Sequence, residues 1–209
     1  MHITLKEPSF VQVGGRYGYD QNMLAGLVGD FFRYRACGVA ALAGLVDYEG
    51  AVHYRSLSQG KFFLLEVFRA LRPRPWGVVG IHRYRRALRE LGISGRFKVY
   101  DRRRHGSELS FLIYSLMNDH PVAVLQTNHP HPAFRYHWVI VTELEERGGE
   151  WWVYFSSWGK KYKLKSEIFL APGTMLRTMA TLECPPPVQE VGQGEVEGPA
   201  RTGRSERGL

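Results

Sequence analysis

The sequence predicts an α+β domain, with helices first and an antiparallel sheet after them. Two patterns carry this. As far as residue 119 apolar side chains recur at helical spacing, and after Pro121 short β-branched or aromatic runs alternate with turn residues. Segments grouped in this way, rather than alternating strand by helix, do not build a parallel sheet. A third observation sets the scale: 209 residues, 44% hydrophobic and 13% aromatic, can bury a core without disulfides or a structural metal.

The elements follow in order. From Ala36 to Val46, Val39, Leu42, Ala43 and Val46 stand at i, i+3, i+4, i+7, and Gly38, Ala40, Ala41 and Gly44 leave room for a close neighbour. A second helix is expected from Lys61 to Leu71, stopped by Pro73 and Pro75, and a third from Ile81 to Leu91. Ser107 can cap a fourth, which runs through Leu109, Leu112, Ile113 and Leu116 to Asn118-Asp119. Strands are expected at Val122–Leu125, Trp138–Thr142 and Trp151–Phe155, with Arg147-Gly148-Gly149-Glu150 as a hairpin turn; Tyr162–Leu164 and Thr174–Leu182 can add two more. In the pair Trp151-Trp152 one ring should pack inward and the other cover an edge or cleft. The folded body is read as 1–184. Residues 185–209, rich in Pro, Gly, Glu and Arg, cannot offset the entropy of ordering and read as a disordered tail.

Cys37 and Cys184 are far apart in sequence and suggest neither a disulfide framework nor a zinc site. The start of the chain has no basic segment followed by an apolar stretch, and no apolar run approaches the roughly 18 residues a membrane span needs. The reading is therefore a cytoplasmic protein with no membrane partner.

Chemistry gathers around Cys37. It opens a helix in Ala36-Cys37-Gly38-Val39-Ala40-Ala41, where the positive end of the dipole should lower the thiol pKa. Alone, such a cysteine reads as a small buried hydrophobe. His137 changes that reading, because an imidazole at the start of a strand (His137-Trp138-Val139-Ile140-Val141-Thr142) can take a thiol proton and return it to a leaving group. Next comes Ser156-Ser157-Trp158-Gly159, where a polar residue ending the following strand can orient the ring.

In these four blocks, Cys-Gly-x-Ala-Ala, Pro121-Val122-x-Val124-Leu125, His-Trp-Val-x-Val-Thr and Ser-Trp-Gly, the chain resembles the papain-like cysteine peptidase superfamily, and more closely its bacterial C39-like branch. The resemblance covers roughly residues 18–169. It implies a papain-like fold and a thiolate–imidazole pair at Cys37 and His137 acting on a peptide or acyl substrate, with no cofactor and no metal. The chain also departs from the family pattern. At the position of the usual Asn or Asp orienter stands Ser156, whose hydroxyl carries no charge. The oxyanion-hole Gln expected six residues before the cysteine is replaced by Phe31, and the nearest upstream candidate, Gln21, reaches the site only if Asn22 to Arg35 forms a loop. Acyl transfer to an amine, or a catalytically inactive peptide-binding module, would use the same shell.

Other features weigh less. His129 and His131 alternate as metal ligands can, without a third ligand, and read rather as a solvated loop; Asn128 is a cleft-lining or a turn residue. The net charge of +8 concentrates at Arg83–Arg89 and Arg102–Arg104, with Arg85 and Arg89 on one helical face. No stacking motif or helix-turn-helix accompanies it, so a solvated face outweighs a nucleic-acid surface.

Overall fold

The structure is a computed structural model and describes residues 1–6, 16–49, 57–78, 80–172 and 177–185. Most of the predicted tail, 186–209, and the first residues of the strand expected from Thr174 lie outside the described residues. Among the described residues, helices α1 (Asp30–Arg33), α2 (Cys37–Tyr48), α3 (Leu57–Leu71), α4 (Ile81–Glu90), α5 (Arg102–His105), α6 (Glu108–Met117) and α7 (Ser166–Phe169) accompany a sheet of seven strands. The strands are β1 (His2–Thr4), β2 (Arg96–Val99), β3 (Val122–Gln126), β4 (His137–Arg147), β5 (Glu150–Ser157), β6 (Lys160–Lys165) and β7 (Arg177–Glu183). All pairings are antiparallel, in the order β2-β7-β3-β4-β5-β6.

The predicted helices form, α3 one turn longer at its start. Ser107 caps α6 by accepting from the Ser110 N–H. The Gly148-Gly149 loop closes the β4–β5 hairpin, both glycines at positive φ as a two-residue primed turn requires. The division into helices and then strands is corrected at two places: β1 and β2 come from the N-terminal half. β1 lies along β4 at Glu143–Glu145, beyond the end of β3 on the same side, because β5 occupies the other. β2 is short, carries Arg96 and Lys98, and pairs only with β7, so its local pattern gave no strand signal.

One continuous core joins helices to sheet. α2 is buried from Gly38 to Val46 and crosses β4, β3 and β7, while α3 packs on α2 and α4 on α3. β4 is buried from His137 to Leu144, which makes it the central strand against which every part of the site is placed. Trp151 packs against the core, and Trp152 lies beneath Lys163 and Lys165. No helix among the described residues is long and apolar enough to cross a membrane.

Candidate functional site

The helix α2 can sit close to β4 because residue 38 has no side chain. A Cβ there would lie 2.8 Å from the Cβ of Val78 and 3.0 Å from the Trp138 indole. That indole is locked by donating from Nε1 to the Val78 carbonyl at 2.8 Å, and Tyr84 donates its hydroxyl to the Gly38 carbonyl at 2.8 Å. The first residue of the helix, Cys37, is thereby held where the Trp138 backbone N–H points at its sulfur. Its neighbour His137 and Cys37 line the same small cavity, together with Gln21 and Ser157.

The His137 ring is fixed from two directions. Nε2 is hydrogen-bonded to Ser157 Oγ at 2.7 Å, which leaves Nδ1 as the nitrogen available for proton transfer. Trp158 stacks on the ring with centroids 4.2 Å apart and planes 18° apart. Trp158 takes φ +47, a left-handed conformation costly for a bulky residue, in the two-residue turn between β5 and β6. Strain of this kind persists where packing over-determines it, and here the stack on His137 contributes to that packing.

The predicted orienter, Ser156, is corrected to Ser157. Ile140 pairs with Ser156, so the next residue, Ser157, falls opposite Val139, two residues from His137 and on its face. Strand alternation carried this signal, since Ser157 follows Val153 and Phe155 at two-residue steps. Ser156 instead donates to the Tyr17 carbonyl at 2.6 Å, across Gly18, where a Cβ would meet Ser156 Oγ at 2.4 Å. Ser157→Ala is expected to change the tautomer balance of His137 in long-range 1H–15N spectra, whereas Ser156→Ala leaves it unchanged; the reverse result would restore the original assignment.

Ser156 nonetheless lines the cavity, and the segment it holds leads to Gln21. The strap it holds is also tied by the Tyr17 N–H to the Gly159 carbonyl at 2.9 Å, and by Tyr17 and Thr142 hydroxyls at 2.7 Å. It runs on to Asp20, which is buried, ion-paired with Arg16 and accepts from the Asn22 N–H. That cap starts a 3-10 turn, Gln21–Leu24, and so places Gln21 on the cavity wall. The route from Asn22 to Arg35 is this turn and α1, not the plain loop expected. Gln21 is buried, and among the described residues its Oε1 has no hydrogen-bond partner. An unsatisfied buried amide costs about 1–3 kcal/mol and calls for a reason.

Electrostatics differ from the sequence expectation. Burial raises the Cys37 thiol pKa, outweighing the Trp138, Gly38 and Cys37 amides that pull it down. Burial also lowers His137 to about 4. Both shifts favour the neutral forms, thiol and imidazole, and run against the dipole-stabilised thiolate the helix start suggested. Burial, with Glu49 beside it, also raises Cys184, to about 11.

Outside the cavity Cys37, His137, Gln21 and Trp158 also wall a cleft of about 770 Å³, rimmed by the exposed rings of Tyr34, Trp76 and Tyr136. Thr127 lines it; Asn128 is an exposed turn residue at φ +49. His129 is neither a metal ligand nor solvated. It is fully buried, with Nε2 donating to the Ile168 carbonyl at 3.0 Å and Nδ1 accepting from the His131 N–H at 3.0 Å. No group of metal-holding side chains occurs among the described residues. No family model, no curated protein and no solved structure matches this chain.

Proposed function

We propose that the protein is a thiol hydrolase of papain-like arrangement, cleaving a peptide or acyl substrate through an acyl-enzyme on Cys37. The observation that carries the reading is the convergence of three residues remote in sequence, Gln21, Cys37 and His137, on one cavity at the floor of an open cleft. Nδ1 of His137 accepts the thiol proton as Sγ attacks the carbonyl carbon. The Gln21 side-chain amide and the Cys37 backbone N–H, which sits at the start of α2, donate to the oxyanion. The proton passes from His137 to the leaving amine or alcohol, and water then attacks the thioester with His137 again as base. Ser157 holds the ring orientation but adds no charge to stabilise an imidazolium. The aromatic rim favours substrates with apolar side chains beside the scissile bond, and a thiol nucleophile fits a reducing compartment such as the cytoplasm.

A p-nitrophenyl ester tests this directly. Mixing excess ester with protein is expected to release one equivalent of nitrophenol per chain in a burst, lost in Cys37→Ala and kept in Cys184→Ser. A burst that persists in Cys37→Ala, or none in the unaltered chain, overturns the proposal. The neutral thiol–imidazole pair with a hydroxyl orienter also favours a second reading, a non-catalytic peptide-binding cleft on the same scaffold. It predicts no burst and saturable binding of peptide by both the unaltered chain and Cys37→Ala.

A further inference from the structure

A concavity larger than the cleft beside Cys37 lies toward the β2 end of the sheet, and its floor is an open strand edge. β2 is the outermost strand and pairs only with β7, in the register Arg96 to Glu183 through Val99 to Ala180. Tyr100 continues the ladder by donating its N–H to the Met179 carbonyl at 2.9 Å. Antiparallel pairing alternates, so Arg96, Lys98 and Tyr100 bond inward and the backbone N–H and C=O of Phe97 and Val99 point outward. Among the described residues these outward groups have no backbone partner. A groove of about 1,600 Å³ follows this edge from Gly95 to Arg102, between α4 and the α5–α6 corner.

The groove is strongly basic. Arg85, Arg89, Arg96, Lys98, Arg102 and Arg104 line it against a single carboxylate, Asp101, whose side chain already caps α5 by accepting from the Arg103 N–H. Lys98 is paired with Glu183, whereas Arg85, Arg89, Arg96 and Arg102 have no ion-pair partner among the described residues. Leu88, Ile93 and Val99 add apolar surface between the charges.

We propose that an extended acidic polypeptide segment docks in this groove as an additional strand on β2. Its backbone would satisfy the outward groups of Phe97 and Val99, and its carboxylates would meet the arginines. The same charges repel a second copy of this edge, which excludes self-pairing as the occupant. A polynucleotide would use the charges but not the strand edge, and the groove offers it little stacking: the Tyr100 ring lies against His105 and Phe111, leaving Tyr114 as the exposed ring. The proposal does not depend on the chemistry of Cys37.

The test uses the full chain carrying Cys37→Ala, so that no probe is cleaved, and a fluorescein-labelled nine-residue peptide alternating Glu and Val. Saturable binding is expected by anisotropy, weakened at least about tenfold in Arg85→Glu/Arg89→Glu. These two side chains are exposed, and an unchanged melting curve would establish that the variant folds. Peptides N-methylated at alternate residues keep every charge but lose half the strand donors, so one parity should abolish binding and the other retain it. The proposal is overturned if the unmodified peptide does not bind, if both N-methylated peptides bind like it, if the charge reversal has no effect, or if a nine-nucleotide oligo-dT binds more tightly than the peptide.

Discussion

His137→Gln is expected to abolish the ester burst and, at the same time, to flatten the acid limb of stability. The imidazole is buried as the neutral species, with its pKa at about 4 in the fold against about 6.5 in the unfolded chain. Above pH 6.5 both states hold it neutral and its full contribution is present. As the pH falls from 6.5 towards 4 the unfolded chain gains a proton that the folded chain refuses, so stability is lost, by about 3 kcal/mol in all. Below 4 both states are protonated and the slope from this group ends. Catalysis should follow the same ionisation, because only the neutral ring accepts the thiol proton: the burst rate should climb through about pH 4. With the thiol pKa raised, alkylation of Cys37 by iodoacetamide should be slow at pH 6 and accelerate only above the usual thiol range. Urea melts at pH 4, 5.5 and 7, with and without His137→Gln, measure the first effect. Rapid alkylation at pH 6 would mean that an ion pair exists and that the neutral resting state is wrong.

Gly38→Ala is expected to lower stability, against the ordinary rule that alanine in a helix gains about 1 kcal/mol over glycine. The new methyl would meet Val78 and Trp138, both buried and tied to each other by a hydrogen bond, so neither can yield. Overpacking of this kind costs about 1–3 kcal/mol, and at the roughly 2–4 °C per kcal/mol expected for a chain of this size it should drop Tm by about 2–12 °C. The larger effect should be on chemistry, since separating α2 from β4 moves Cys37 away from the Trp138 amide and His137. Gly29→Ala, at a residue with nothing within 4 Å of an added Cβ, serves as the control and should change Tm little. Equal Tm values for the two variants would refute the close-approach account.

The elements that local physics specifies were legible in the chain. The uninterrupted small and apolar run after Cys37, the Ser107 cap, the Gly148-Gly149 turn and the β-branched runs at Val122 and Trp138 each name their own structure, because helix periodicity, capping and turn chemistry act within a few residues. Cys37, His137 and Gln21 were legible by residue type, and the structure brings them to one cavity. Ser157 was missed in favour of Ser156 although strand alternation separates the two faces. β2 was missed because Arg96 and Lys98 lie on an edge, where no buried face imposes an apolar pattern.

The sequence by itself determined an α+β chain with a cysteine opening a helix and a histidine opening a strand. Only the tertiary structure decided what those two groups are. Their protonation depends on burial, and burial is a property of how α2, β4 and the Tyr17–Gln21 strap close around them. A helix dipole is readable from a sequence and lowers a thiol pKa; the desolvation that overrides it is not, because it is contributed by residues one hundred positions away.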